Sequence, residues 1–347
     1  MTLGRNGATA SADVPVTVVV VTWQGEHLLP DCLDSLAAQT LPHRVLVVDN
    51  ASTDGTRELL ADRFADVEVL ALGRNTGFAG GVQAALPLVD TPFIALLNND
   101  ARAEPDWLEH SVAALAAATD VAGVTARMLL WTGAHDDLDA GRGPRLINNA
   151  GVRLTPSGYG ADRGGGEPDG EFFDRPAEVF GFSGGAAVLR TGPVRSVGGM
   201  PAEFFLYYED TDLAWRLRLG GYRIRYVPDA VVWHRHAASS DQTSELFAFY
   251  TERNRLLMLL RCAPPSLAGW QLARFLATTA SLALRRRVGR PVPDVAVFRT
   301  AVRLRAAFGV LKLLPWAFVE RRRIGARSRI GRHAVARDWV GESGRLS

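Results

Sequence analysis

Phe93-Ile94-Ala95-Leu96-Leu97-Asn98-Asn99-Asp100 decides how the rest of the chain reads. Thr91-Pro92 sets its start, and five apolar residues in a row read as a strand buried on both faces, as in a parallel sheet. In open α/β sheets ligands sit beyond the carboxyl ends of the strands, so the polar triplet falls where a ligand would bind. A carboxylate there, preceded by two amides, suits a divalent cation and, through it, a diphosphate. The same three residues also read as a plain polar turn, with Asp100 capping the next helix near Glu104-Pro105-Asp106.

Upstream, the pattern repeats the strand's logic. Val16-Thr17-Val18-Val19-Val20-Val21 is a β-branched run that breaks at Thr22-Trp23-Gln24-Gly25, before a helical pattern over residues 26–38. Val45-Leu46-Val47-Val48-Asp49-Asn50 predicts a second strand ending in an acid, followed by Ala51-Ser52-Thr53-Asp54-Gly55-Thr56 and a helix. A third strand over residues 67–72 leads into the glycine-rich turn Arg74-Asn75-Thr76-Gly77-Phe78-Ala79-Gly80-Gly81. Strand–helix alternation with short connections implies βαβ units and a mostly parallel sheet flanked by helices.

Downstream the texture changes. A strand from Val121 precedes Gly/Pro/Asp-rich loops over residues 131–176. Phe180-Gly181-Phe182-Ser183-Gly184-Gly185 leads into a further strand. Residues 209–219 read as a helix closed by Gly220-Gly221, and residues 222–227 and 230–233 as two strands. From Glu245 the pattern is helical, interrupted at Pro264-Pro265, with amphipathic segments over 267–288 and 296–323 and a kink expected at Pro315. The reading divides the 347 residues into a disordered tail (1–14), a catalytic α/β domain (15–244) and a basic helical C-terminal region (245–347).

Charge follows that division. Residues 245–347 carry 20 Lys+Arg against 6 Asp+Glu, a net of +14; the first 244 residues carry 19 against 31, a net of −12. A basic tail on an acidic body points to an anionic surface as its partner. Cys32 and Cys262 lack any metal-ligand spacing. Neither a signal peptide nor an apolar run of about 18 residues is visible, so the expected location is cytoplasmic, peripheral on the inner face of the membrane.

The strand ends bring Trp23, Asp49, the turn at 74–81 and Asp100 to one edge of the sheet. An aromatic ring and a carboxylate suit a nucleobase and ribose, and glycines let backbone approach a phosphate at a helix N-terminus. Farther on, Tyr207-Tyr208-Glu209-Asp210-Thr211-Asp212 crowds three acids into one helical turn. Helix-dipole stabilisation explains one of them, Asp212. A carboxylate of the Glu209-Asp210 pair is placed to deprotonate an acceptor hydroxyl. His234, followed by His236, ends a strand and is a candidate metal ligand. A dinucleotide-dependent oxidoreductase is excluded by Trp23-Gln24-Gly25-Glu26, which lacks G-x-G-x-x-G after the first strand. A non-catalytic nucleic-acid-binding protein leaves the acids at three element ends unexplained, so no nucleic-acid partner is expected.

The succession Thr22-Trp23, Val48-Asp49-Asn50-Ala51-Ser52-Thr53-Asp54-Gly55-Thr56, Arg74–Gly81 and Leu97-Asn98-Asn99-Asp100 resembles inverting family 2 glycosyltransferases of the GT-A fold. Gly184-Gly185, the segment from Glu209 to Arg216 and Trp233-His234 are similar to their bacterial rhamnosyltransferase and galactofuranosyltransferase branch. The resemblance implies that Trp23 and Asp49 hold base and ribose. It places Thr22, Asp54, Arg74, Asn75, Gly77, Asn98 and Asn99 around the nucleotide, and Gly184, Gly185, Glu209 and Trp215 near sugar or acceptor. Asp210 would be the general base; Asp100 and His234 would hold Mg2+ or Mn2+. One departure stands out: asparagines fill the first two positions of the family's acidic triplet, which leaves the metal a single charged ligand there. The implied donor is dTDP-L-rhamnose, with UDP-galactofuranose second; the implied acceptor is a saccharide, lipid-linked through polyprenyl diphosphate.

Overall fold

The computed structural model describes residues 2–4, 14–131, 145–235 and 243–341. The stretch read as a tail contributes an edge strand, β1 (Thr2–Gly4), antiparallel to β4. β2 (Val16–Thr22), β3 (His43–Asp49), β4 (Glu68–Ala71) and β5 (Phe93–Leu97) run parallel in the order β4-β3-β2-β5. Their crossover segments carry α1 (Leu29–Ala37), α2 (Thr56–Arg63) and α3 (Gly77–Ala85). The β-branched residues of β2 are buried alternately on two faces. Val19 and Val21 join one core, Val16, Val18 and Val20 the other, which is why the run shows no polar alternation.

Past β5 the sheet is mixed. β6 (Ala101–Ala103), α4 (Trp107–Ala116) and β7 (Val121–Trp131) come first, then the short strands β8 (Ile147–Asn149), β9 (Val152–Leu154), β10 (Gly160–Asp162) and β11 (Ala177–Glu178). β12 (Ala186–Arg190) lies antiparallel between β5 and β7. A loop rather than a crossover helix delivers it, so nothing holds it to the parallel direction. After α5 (Thr191–Ser196) and α6 (Glu209–Leu219), β13 (Arg223–Arg235) pairs parallel with β7 and antiparallel with β6. The two strands expected here are one strand, bulged between Val227 and Val231. Pro228 has no N–H for the ladder, and the bulge absorbs it.

The C-terminal helices are α7 (Glu245–Cys262), α8 (Pro265–Arg287), α9 (Thr300–Arg327) and α10 (Arg332–Trp339). Ser244 caps α7 through Phe247 N–H at 3.1 Å. Pro315 sits inside α9 without ending it, and α10 had no counterpart in the sequence reading. These helices belong to the same core as one face of the sheet, which runs from Val19 to Val335. A buried ion cluster ties α6 to α7: Asp212 accepts from Arg216 and from Arg261, each at 2.7 Å. Asp212 is thereby structural.

Candidate active site

A cleft of ≈ 940 Å³ opens where the carboxyl ends of β2 and β5 face the loops before β12 and α6. Trp23, Asn75, Gly77, Asn98 and Asn99 line one side, and Gly184, Gly185, Glu209 and Asp210 the other. Residues separated by almost two hundred positions thus share one cavity, as the topology of the strand ends requires.

On the first side the polar groups fix the backbone. Asn99 donates its amide to Thr22 Oγ1 at 2.9 Å, joining the ends of β5 and β2. Buried Asn50 holds the glycine-rich turn from both sides. It accepts from Thr76 N–H at 3.1 Å and donates to Gly77 O at 3.1 Å. Asn75 accepts from Gly77 N–H at 2.8 Å. Gly77 has φ +71°, and a Cβ there would lie 2.1 Å from Phe205 O, so this position admits only glycine. Trp23 is exposed at the cleft edge, its ring face available for stacking.

Three residues expected around the nucleotide lie outside the cleft wall. Asp49 is fully buried and already bonded, accepting from Arg57 Nε at 2.6 Å and Ser52 N–H at 2.9 Å. Asp54 lies two residues before α2, accepting from Thr56 Oγ1 at 2.5 Å and Glu26 N–H at 3.2 Å. Burial, the largest single influence, raises its pKa, but these hydrogen bonds together outweigh it and hold the carboxyl below the usual range. Arg74 is exposed beside the turn.

Behind Asn98 and Asn99 sits the carboxylate–imidazole pair. The β6–β13 register pairs His234 with Ala101, which carries the ring to Asp100: His234 Nε2 is 3.1 Å from Asp100 Oδ1. Asn98 Nδ2 lies 3.3 Å from the same ring nitrogen. The triplet is also a turn, since Ala101 N–H donates to Asn98 O at 3.1 Å. It reverses the chain into β6 rather than capping α4. Among the described residues no three His, Cys, Asp or Glu side chains gather as a metal cage. An oxygen and a nitrogen donor in contact nevertheless fit the chemistry of a divalent cation such as Mn2+. His236 lies outside the described residues.

The opposite wall is under backbone strain. Phe205, Tyr207 and Tyr208 have φ of 65°, 67° and 70°, a left-handed run of aromatic residues directly before α6. Buried Asn254 of α7 holds this loop, donating to Phe204 O at 2.9 Å, Leu206 O at 2.9 Å and Tyr207 O at 2.8 Å. Phe205 O in turn accepts from Ala79 N–H at 3.1 Å, so the loop touches the glycine-rich turn across the cleft.

The loop delivers two unlike carboxyls. Asp210 accepts from Gly184 N–H at 3.0 Å and from Thr211. Burial raises its pKa, these hydrogen bonds pull the other way, and Asp162 on β10 adds to the rise. Glu209 is buried beside it with Oε2 lacking a hydrogen-bond partner among the described residues. Burial, then the Asp210 charge, push its pKa well above the glutamate range. Gly184 and Gly185 admit the backbone close to the site: Cβ atoms there would stand 3.0 Å from the Phe78 ring and 3.2 Å from Asn98 Nδ2.

Trp215 corrects the expectation of a sugar contact. It is fully buried on α6, edge-on to Phe180 at 5.6 Å between centroids, because the helix turns that face into the core. The sequence reading missed Asn50, Asp162 and the α7 residues Leu246, Phe247 and Thr251, all of which line the cleft. Asn50 stood in a quoted motif, and Asn254 showed only as an amide inside an apolar helical pattern.

Comparison with known proteins matches this geometry. Residues 17–138 match the sequence profile of "Glycosyl transferase family 2", and residues 93–318 that of "Glycosyl transferase family group 2". The chain is 30% identical over 260 residues to the N-acetylglucosaminyl-diphospho-decaprenol L-rhamnosyltransferase of Mycobacterium tuberculosis, covering 67% of this chain and 80% of that protein. Two solved structures share the fold. GalNAc-T7 with UDP, GalNAc and Mn2+ superposes with a TM-score of 0.58 at 13% identity, over 83% of this chain and 54% of that one. Mannosyltransferase PcManGT from Pyrobaculum calidifontis, with GDP-Man and Mn2+, gives 0.50 at 21% identity, over 86% and 90%.

Proposed function

The chain belongs to the family 2 glycosyltransferases, and on that premise we propose that it transfers L-rhamnose from dTDP-L-rhamnose to a polyprenyl-diphosphate-linked saccharide, inverting the anomeric centre. The observation that carries the reading is the pairing, across one cleft, of the glycine-rich turn that leads into α3 with a raised-pKa carboxylate, Asp210. The 30% identical rhamnosyltransferase supports the donor sugar and a lipid-linked acceptor. UDP-galactofuranose is the alternative donor on the same fold.

The chain's own groups then divide the work. The Trp23 ring stacks on the base, and the N-terminus of α3, which follows the turn held by Asn50, turns the positive end of its dipole to the diphosphate. Asp49 reaches the ribose only if Arg57, itself half-exposed, releases it. Asp100 and His234 would hold a divalent cation, which would supply positive charge to the leaving diphosphate. Asp210 accepts the proton of the attacking acceptor hydroxyl as the new C–O bond forms and the bond to the diphosphate breaks. Gly184 N–H fixes the orientation of that carboxylate. Glu209, whose ionisation burial disfavours, offers a hydrogen bond to a sugar or acceptor hydroxyl.

Thermal shift against a panel of nucleotide sugars with Mn2+ tests the donor. The reading expects the largest stabilisation with dTDP-L-rhamnose; a larger one with UDP-galactofuranose would move the assignment to the alternative. A lipid-linked acceptor and the basic C-terminal region support a site of work at the inner face of a membrane.

A further inference from the structure

α9 carries a line of exposed apolar side chains at helical spacing: Leu304, Phe308, Leu311, Pro315 and Phe318. Phe308 is 68% exposed and Leu311 61%. These residues share one face and extend over about 21 Å of helix. The opposite face packs inward, Ala306, Val310 and Ala317 into the main core and Val302 against Ala248 and Ala296. No acid lies on the exposed line. Arg305, Lys312, Arg322 and Arg323 flank it, all exposed. Neighbouring α8 adds Trp270, 66% exposed, and ends in the exposed Arg285-Arg286-Arg287. Not every arginine of the region belongs to this surface. Arg303 and Arg321 turn inward, Arg303 to Phe275 O and Thr279, Arg321 to Leu260 O and Ala263 O.

We infer that this face of α8–α9 is an interfacial membrane contact that takes an anionic phospholipid bilayer. A contiguous apolar line bordered by cations is the signature of a helix lying in the headgroup plane. No helix among the described residues is long and apolar enough to cross a bilayer, so the contact is parallel to the surface. The face also starts next to the cleft. Arg299 and Arg305, at the beginning of α9, pair with Glu245 at 3.0 Å and 3.6 Å, and Leu246 beside Glu245 lines the cleft. A bilayer seated on α9 therefore meets the mouth where a lipid-linked acceptor would arrive; this orientation rests on the acceptor reading, whereas the contact itself does not.

Flotation of the full chain with vesicles of phosphatidylcholine alone or mixed with phosphatidylglycerol tests it without donor or acceptor. The protein should float with the mixed vesicles and at least tenfold less with the neutral ones. The double variant Phe308→Ser/Leu311→Ser, shown folded by its thermal melt, should lose tenfold or more of the bound fraction. Arg322→Glu/Arg323→Glu should remove the preference for phosphatidylglycerol. Equal flotation of wild type and the Phe308/Leu311 variant, or no flotation at all, would overturn the proposal. So would a dimer in sedimentation velocity that the same variant abolishes, because a second copy would then cover the face. A chain that turns over nucleotide sugar yet never floats would refute the membrane face and leave the transferase reading standing. Flotation without turnover would do the reverse.

Discussion

Glu209 and Asp210 are sequence neighbours with different surroundings, and that difference sets their chemistry. Asp210 is held by N–H donors, which favour its ionised form, while Glu209 has burial and a neighbouring negative charge against ionisation. A base works only deprotonated, so kcat/KM should rise with pH through the Asp210 titration, with its acid limb above the ordinary aspartate range. A limb at or below that range would contradict the raised pKa. Glu209 also enters stability. A carboxyl whose folded pKa is raised stabilises the fold fully below its unfolded pKa, and that contribution is lost as pH rises through the folded value. Glu209→Gln should therefore gain roughly 0.5–2 kcal/mol in mildly alkaline buffer, with the gain shrinking to nothing in acid. Thermal melts across pH read this directly; a gain independent of pH would place its origin elsewhere.

At the scale of elements, the site depends on how α7 grips the strained loop before α6. Removing the amide in Asn254→Ala takes the side-chain donor from the half-buried Leu206 O and Tyr207 O, while Phe204 O keeps Arg253 and Leu206 N–H, and should cost about 1–3 kcal/mol of stability. The loop carries Asp210, so kcat should fall roughly 10–100-fold through misplacement. Donor affinity and the pH of the acid limb should stay put, a split that general unfolding would not produce. An equal loss in donor binding would count against this positioning role. Gly77→Ala should fail on the other wall, since its Cβ meets Phe205 O; donor affinity is the quantity to measure.

The elements also show what sequence could convey. The parallel strands announced themselves because burial on both faces leaves uninterrupted Val and Leu runs. The antiparallel β12 and the bulge in β13 were not legible, because strand direction depends on which connection delivers the strand. Turn residues such as Asn75 and Gly77 were readable from local backbone demands. Trp215 was misread since a motif does not say which face of α6 turns inward, and Asn254 was invisible because its three partners lie almost fifty positions away.

In the whole molecule the basic region is both structural and peripheral. Trp316 packs near Phe204 at 6.2 Å, and Arg261 bonds Asp212, so the C-terminal helices complete the core under the catalytic loop. A chain ended at residue 264 should expose Phe204 and the face of α7 that α8–α10 cover, and lose its cooperative melt; retention of a sharp transition would show that α8–α10 are dispensable to the core. The opposite charges of the two regions, legible as −12 and +14, do not separate inward from outward arginines. Only packing makes that separation.

The central claim is that Asp210 removes the acceptor's proton in a nucleotide-sugar transfer. Its most direct measurement is single-turnover transfer by Asp210→Asn, with donor binding titrated on the same preparation. The account predicts a loss of about 10²-fold or more in the transfer rate with donor affinity nearly unchanged. Transfer at the wild-type rate would contradict it.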